Sequence, residues 1–339
     1  MKTQNVPGYP RASIGVLEDT HHHGGLQSFA HFHRITGNHA VFYPIPRSVM
    51  KTTSRLLLSC LLYFSLPLAS GYGSEGEAFP LLNPAEPLAA PAEQEVQTEQ
   101  APEAGDRMVL IINSVEHPFR WCPPGTFAMG SPISEPERRY NETQHQVTLT
   151  HGFWMLETEV TQEMWEGIVG NNPSAFRGIR LPVETVSWYD CQEYIHRLNG
   201  MGVAPAGWWV SLPTEAQWEY ACRAGTTTPF HSGDTTDRER ANFGRNLGGT
   251  TAVDSYPANA WGLHGMHGNV WEWCLDWYGN YPLGSVTDPS GTSSGTNRVL
   301  RGGGWFHAAG DCRSAFRRDR EPSVRNNAIG LRLALVRAE

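Results

Sequence analysis

Residues 212–220, LPTEAQWEY, and residues 268–273, GNVWEW, decide how this chain of 339 residues folds. The first segment places Pro and Thr ahead of Glu, Ala and Gln, an order typical of the first turn of a helix. The second has a Gly-Asn turn followed by two tryptophans, which bury a large aromatic area and carry ring N–H groups that need acceptors. Together they predict a helix and an aromatic core joined by loops.

The remaining regular elements are short. Apolar spacing behind a Thr or Ser predicts helices at 160–169 and 187–198, and the LPTEAQWEY motif predicts a third at 214–224. Strand-like runs such as 146–150 and 299–300 are separated by Gly, Asn and Pro. With 35 Gly and 24 Pro in the chain, the pattern indicates an α+β domain whose loops are held by something other than long sheets.

The N-terminal third has a different composition. Residues 50–73 begin Met50-Lys51, continue with Arg55 and an apolar run at 56–68, and end in small residues, which is the order of a secretory signal peptide. The apolar run is too short for a permanent membrane span. We therefore expect Met50 to be the true start, with residues 1–49 upstream of it, and we expect export.

Residues 74–106 form a predicted acidic Pro/Ala/Glu linker. They carry eight carboxylates and no Lys or Arg, with too few large apolar side chains to build a core. The folded domain is expected at 107–339. Without the linker this domain is only mildly acidic and has no basic stripe, so nucleic acid is not an expected partner.

Five segments in order carry a resemblance to a known family. Together they resemble the formylglycine-generating, or sulfatase-modifying factor, family over essentially all of residues 120–336. The resemblance implies a C-type-lectin-like α+β fold with little regular secondary structure, small antiparallel sheets and a few short helices. The segments are GTFAMG at 125–130, EVT at 159–161, LPTEAQWEY at 212–220, GNVWEW at 268–273, and a span at 301–332 that begins RGGGW.

The resemblance also implies a chemistry. Active members use oxygen and two cysteines that bind copper(I) to convert a cysteine of a sulfatase into formylglycine. The matching positions here are His307 and Cys312, so they are the candidate catalytic and copper-binding residues, and Trp271, Gly304 and Trp305 are the candidate substrate groove. Imidazole is a harder ligand than thiolate, so replacing the first cysteine should change the copper affinity and redox behaviour.

The state of Cys312 is left open by the sequence. Five cysteines lie in the predicted domain, at 122, 191, 222, 274 and 312, so at least one has no partner within it. One alternative is a disulfide between Cys274 and Cys312, which would make Cys312 structural. The other is a free Cys312 thiol that shares a metal with His307.

Calcium is a second cofactor that the resemblance implies. Each site would need further oxygens, because Gly265 lacks a side-chain ligand and the loop at 244–251 lacks an acidic one. Alternatively, Glu272 accepts turn amides and Asn242 caps a turn. The candidate ligands are the Gly268 and Val270 carbonyls with Glu272 at one site, and Asn242 with the Phe243 carbonyl at the other.

Three functions remain in competition. The first is a sulfatase-modifying factor that acts on, or binds, an extended peptide segment of a sulfatase-like or other exported protein. The second is a catalytically inactive C-type-lectin-like module that binds protein or glycan. The third, an iron-dependent sulfoxide synthase, needs a helical domain with metal-binding histidines that residues 1–106 do not supply. Glu157 and Glu159 are interpreted as strand and turn surface, not as an acid–base pair.

The signal peptide gives a direct prediction. When the full-length gene is expressed in a secreting host, the mature chain should begin near Gly71, after the apolar run at 56–68. N-terminal sequencing of the exported protein measures this. A secreted chain that still begins at Met1 would contradict the interpretation.

Overall fold

The computed structural model describes residues 101–338. This part of the chain contains twelve short strands and three α-helices, joined by loops. The arrangement is the α+β class that the sequence predicts. The helices are α1 (Gln162–Val169), α2 (Trp188–Gly200) and α3 (Glu215–Arg223), with a 3₁₀ turn at Ala309–Cys312. The strands are β1 (Arg107–Ile112), β2 (Val115–Cys122), β3 (Gly125–Met129), β4 (His145–Leu149), β5 (Phe153–Leu156), β6 (Trp208–Ser211), β7 (Trp271–Trp277), β8 (Val286–Thr287), β9 (Arg298–Arg301), β10 (Arg318–Arg320), β11 (Ile329–Gly330) and β12 (Ala334–Arg337).

The strands form three small sheets. The largest has the order β1-β2-β5-β12-β6, the second β10-β9-β7-β11 and the third β3-β4-β8. Most pairs are antiparallel, as the resemblance implies, but β7 pairs with β11 and β4 with β8 in parallel. The last strand, β12, lies between β5 and β6, so the C-terminal segment closes the largest sheet.

Local sequence signals explain where the three helices begin. The Thr161 hydroxyl accepts the amide of Met164, and Ser187 and Thr214 form capping boxes with Asp190 and Gln217. Each of these caps satisfies amides that have no partner within the first turn of the helix. The three predicted helices are therefore confirmed, with boundaries shifted by at most two residues.

The N-terminal edge of the domain differs slightly from the prediction. The amide of Gly105 donates to the Trp121 carbonyl, and the Trp121 amide donates to the Asp106 carbonyl, both at 2.9 Å. The last two residues of the predicted linker thus extend the pairing of β1 with β2. The predicted signal peptide, the upstream segment and the rest of the linker lie outside the described residues. Within residues 101–338, no helix is both long enough and apolar enough to cross a bilayer.

Five of the twelve tryptophans lie in the buried core. Trp218 and Trp273 are fully buried and Trp271 is 2% exposed, whereas Trp277 is only half-buried. The indole N–H of Trp218 donates to the Glu272 carboxylate at 2.6 Å, and that of Trp273 donates to the Val186 carbonyl at 3.1 Å. These bonds satisfy the polar edge of each ring, so the rings can lie inside the core.

Buried ion pairs connect segments that are far apart in the sequence. Arg301, at the end of β9, binds Glu215 and Glu219 of α3, and both Arg301 and Glu219 are completely buried. Arg332 binds Glu272 of β7 at 2.7 Å in an equally buried position. Buried charges are tolerated only when they are paired and hydrogen-bonded, so each of these pairs fixes the relative position of two segments.

We expect Arg301→Met to destabilise the domain by about 3 kcal/mol, because it removes one of the two arginines that bind each of the buried carboxylates Glu215 and Glu219, leaving them with Arg317 and Arg223 alone. The matched control is Arg197→Met, which removes the exposed 2.9 Å pair with Glu193 within α2 and should cost less than about 1 kcal/mol. Urea unfolding of residues 101–339 with each substitution measures both values. Equal losses in the two variants would show that the buried pair does not hold the fold.

Candidate functional site

A glycine turn after β9 builds the candidate site. Gly302 and Gly303 have φ angles of 95° and 81°, a left-handed conformation that favours glycine. The amide of His307 then donates to the Gly304 carbonyl at 2.9 Å, which closes the turn. A Cβ atom at Gly304 would lie 3.3 Å from both the Trp271 ring and His307 Nδ1. The turn therefore presses His307 against Trp271 of β7.

His307 lines a small cavity of about 100 Å³. Its other walls include Trp271 and Phe306, whose ring stacks on the His307 ring with centroids 4.2 Å apart. Two arginines of β10, Arg318 and Arg320, also line it. Within residues 101–338 neither arginine forms a salt bridge, so the cavity has two guanidinium groups without a directly bound carboxylate, although Asp311 and Asp319 act on Arg318 at longer range.

The contacts of His307 keep its ring neutral. One guanidinium nitrogen of Arg318 is 2.9 Å from Nε2, and the indole N–H of Trp271 lies 3.2 Å from Nδ1 and 3.4 Å from Nε2. Both neighbours are donors only, so they favour a ring that accepts hydrogen bonds. Burial, followed by the charge of Arg318, lowers the pKa of His307 to about 4.

Cys312 lies behind the same turn in a completely buried position. Its thiol donates weakly to the Ala308 carbonyl at 3.5 Å, and a Cβ atom at Gly303 would fall 2.4 Å from its sulfur. Burial raises the pKa of the Cys312 thiol well above its usual value, so the thiolate is disfavoured. Cys312 does not line the cavity that contains His307.

The sulfatase-modifying factor enzyme 1-like domain family matches residues 116–337, which is more than half of the chain. The chain belongs to this family. The assignment confirms the resemblance that the five sequence segments indicate.

The proteins similar to this chain are described as a kinase, an enzyme and a variable protein. The chain is 40% identical over 160 residues to the serine/threonine-protein kinase pkn1 of Chlamydia caviae, covering 45% of this chain and 24% of that protein. It is 35% identical over 175 residues to the formylglycine-generating enzyme of Streptomyces coelicolor, covering 45% of this chain and 52% of that one. The structure of Treponema denticola variable protein 1 superposes with a TM-score of 0.62 at 29% identity, covering 67% of this chain and 98% of that one. The chain thus spans about a quarter to a half of the length of these two curated relatives.

The candidate copper ligands are Cys312 and His307. All five cysteines of the described part, including Cys274 and Cys312, are free and buried, so the disulfide considered between these two is absent. A buried thiol of raised pKa and an imidazole whose ring nitrogens face the donors Arg318 and Trp271 make a poor pair of copper(I) ligands. The positive charge of Arg318 further disfavours a cation at His307. Cys312 and His307 therefore do not fit a copper site in this arrangement.

The first calcium site of the sequence prediction does not fit either. Both carboxylate oxygens of Glu272 accept hydrogen bonds from Arg332, and one also accepts the Trp218 indole N–H. The carboxylate has no remaining charge to offer a cation together with the Gly268 and Val270 carbonyls. The predicted role of Glu272 as a calcium ligand fails because its carboxylate is paired with Arg332, a residue sixty positions away in the sequence.

The second predicted calcium site retains one usable oxygen. The Asn242 side-chain oxygen is buried without a hydrogen-bond partner in residues 101–338. The Phe243 carbonyl, however, accepts the amide of Asn246, and the Asn242 carbonyl accepts that of Asn269. Calcium requires six to eight oxygens, so Asn242 and the Phe243 carbonyl cannot make a site by themselves.

Glu159 corrects another prediction, because it is fully buried and not on the surface. One of its oxygens accepts the Asn269 side-chain amide at 2.9 Å, and the other has no hydrogen-bond partner among the described residues, with the Arg332 guanidinium 3.9 Å away. Burial, only partly offset by Arg332, raises the pKa of Glu159 to about 7. A Cβ atom at Gly265 would lie 2.4 Å from this carboxylate, so Gly265 is the residue that makes room for it.

The predicted substrate groove is assembled only in part. Trp271 and His307 line the cavity, with Gly304 directly beside them, but Trp305 does not line it and its indole N–H donates to the Asn327 carbonyl at 3.1 Å. The sequence interpretation missed Arg318 and Arg320. Alternation in the run Arg318-Asp319-Arg320 was the available signal, because residues two apart share one face of a strand.

We expect Arg318→Gln to raise the pKa of His307 from about 4 toward its ordinary value of 6.5 without reaching it, since burial remains. NMR titration of the imidazole signals between pH 3 and pH 8 measures the change. Arg177→Gln, which removes an exposed arginine that contacts the Asn172 carbonyl, is the control and should leave the titration of His307 unchanged. An unchanged pKa in Arg318→Gln would mean that the guanidinium does not act on the ring.

Proposed function

We propose that this protein is an exported member of the sulfatase-modifying factor family that binds an extended peptide segment with an acidic side chain and does not oxidise a cysteine. The observation that carries this proposal is the cavity beside His307, where Arg318 and Arg320 have no carboxylate partner in the described part of the chain. Family membership supports a peptide as the partner class.

The charge of the cavity supports an anionic group as the ligand. Arg318 is half-buried, and burial together with the nearby Arg320 lowers its pKa, which means that its charged form is disfavoured without a partner. A carboxylate of a bound peptide would offset both the burial of Arg318 and its repulsion from Arg320, and it would form charge-assisted hydrogen bonds with the guanidinium. The rings of Trp271 and Phe306 would contact the aliphatic part of the same side chain.

The positions that match the family's two catalytic cysteines, His307 and Cys312, favour peptide binding over cysteine oxidation. The thiol of Cys312 is buried away from the cavity, and the neutral ring of His307 already accepts from Arg318. His307 then serves to hold the Arg318 guanidinium in place at the cavity. Export, which the segment at 50–73 favours, would place such a peptide-binding domain outside the cytoplasm, on a tether formed by the acidic linker.

The binding proposal is tested with a matched pair of peptides. We expect acetyl-Gly-Phe-Glu-Gly-amide to shift NMR signals of residues that line the His307 cavity, and its Gln counterpart to bind about tenfold more weakly or worse, because a charged hydrogen bond is lost. Arg318→Gln should remove the preference for Glu, while Arg325→Gln, which removes an exposed pair with Asp190, should preserve it. Equal binding of the two peptides to the wild-type domain would overturn the proposal.

The absence of oxidation is tested separately. The domain is incubated with copper(I), oxygen and a Cys-x-Pro-x-Arg peptide, and mass spectrometry is used to look for the aldehyde product. We expect no product above that of the Cys312→Ser variant. Turnover that disappears in Cys312→Ser would show that the thiol becomes accessible and that the family's oxidation is retained.

A further inference from the structure

A second and larger cavity, of about 360 Å³, lies away from His307. This volume is in the range of pockets that hold small ligands. Much of its wall is apolar or aromatic, with Trp277, Tyr281 and Pro282 among the contributors. The polar part of the wall includes Asp276, a residue of β7 that no part of the proposed function uses.

Asp276 is a buried carboxylate that forms no salt bridge within residues 101–338. It is 3% exposed, and its one hydrogen bond to another residue within 101–338 comes from the amide of Glu215, at 2.8 Å. Burial, followed by repulsion from Glu215, raises the pKa of Asp276 to about 7, and the nearby charge of Arg317 offsets this only in part.

The other charged groups in the wall are already paired. Arg317 donates to both oxygens of Glu215, at 2.8 and 2.6 Å, and to the Gly279 carbonyl at 2.9 Å. Its guanidinium also lies over the Tyr281 ring, 3.8 Å from the centroid. Arg317 therefore has little capacity left to bind an anion, and Glu215 has its charge neutralised.

His145 also lines the wall. Its Nδ1 atom is 3.0 Å from the Thr143 carbonyl, which can only accept, so Nδ1 carries a proton. The ring packs against Tyr281 with centroids 4.7 Å apart. Among the charged groups of the wall, the Asp276 carboxylate is thus the one without a salt-bridge partner in the described residues.

We propose that this cavity binds a primary amine on a short apolar stem, with the ammonium group at Asp276. An ammonium group has three donors and no acceptor, which matches a carboxylate, and its charge compensates Asp276. The apolar stem suits the aromatic and proline walls. A divalent metal fits less well, because residues 101–338 contain no cluster of three His, Cys, Asp or Glu side chains.

The amine could be a free small molecule or the side chain of a lysine in a partner protein. Both present the same chemistry to Asp276, and pentylamine has about the length of a lysine side chain. The test therefore uses two probes, pentylamine and the peptide acetyl-Gly-Lys-Gly-amide. Tighter binding of the peptide would assign the site to a protein partner, and binding of pentylamine alone would assign it to a small ligand.

The decisive comparison uses the wild-type domain with pentylamine and 1-pentanol, which differ in the charged head group. Signals of residues that line the second cavity, such as the Trp277 indole, should shift in NMR titrations, with pentylamine binding at least about tenfold more tightly than pentanol. Asp276→Asn keeps an oxygen for the Glu215 amide and should abolish this preference, whereas Asp234→Asn at an exposed site should retain it. Equal binding of amine and alcohol to the wild type, or an unchanged preference in a folded Asp276→Asn variant, would overturn the proposal.

A wild-type domain that binds neither pentylamine nor the lysine peptide would also overturn it. This result is obtained with the wild-type domain, so misfolding of a variant cannot explain it. The outcome is independent of the acidic-peptide experiment as well, because that experiment reports on Arg318 and this one on Asp276.

Discussion

The pairing of buried arginines with buried glutamates is the interaction on which the rest of the structure depends. Strands of two to eight residues and three short helices leave most of residues 101–338 in loops, so hydrogen bonds within regular elements cannot by themselves fix the fold. Arg301 connects β9 to α3, and Arg332 connects the C-terminal segment to β7. Because an unpaired charge in the interior is strongly unfavourable, these segments have few alternative arrangements.

The same network positions both cavities. Arg317 and Arg318 are neighbours in the chain, and extended backbone directs successive side chains to opposite sides. Arg317 enters the buried network at Glu215 and lines the larger cavity, while Arg318 lines the smaller one beside His307. The ion pair at Glu215 therefore determines where the unpaired guanidinium of Arg318 is held.

Replacement of one cysteine by histidine changes more than a metal ligand. His307 accepts from Arg318, and an arginine at this place would repel a copper ion but attract a carboxylate. Gly304 leaves room for the contact between His307 and Trp271. These side chains support the proposed recognition of a negative charge.

The sequence by itself determined the α+β class, the three helices and the family. Helix starts follow from caps such as Ser187 with Asp190, which interact over three residues, and the family follows from segments that can be compared directly. Burial, charge pairing and pKa were decided only by the tertiary structure. Glu159 was interpreted as a surface residue, yet it is buried beside Asn269, and Glu272 is neutralised by Arg332. Such properties depend on groups sixty to more than a hundred residues apart, and no local pattern encodes which of them will meet.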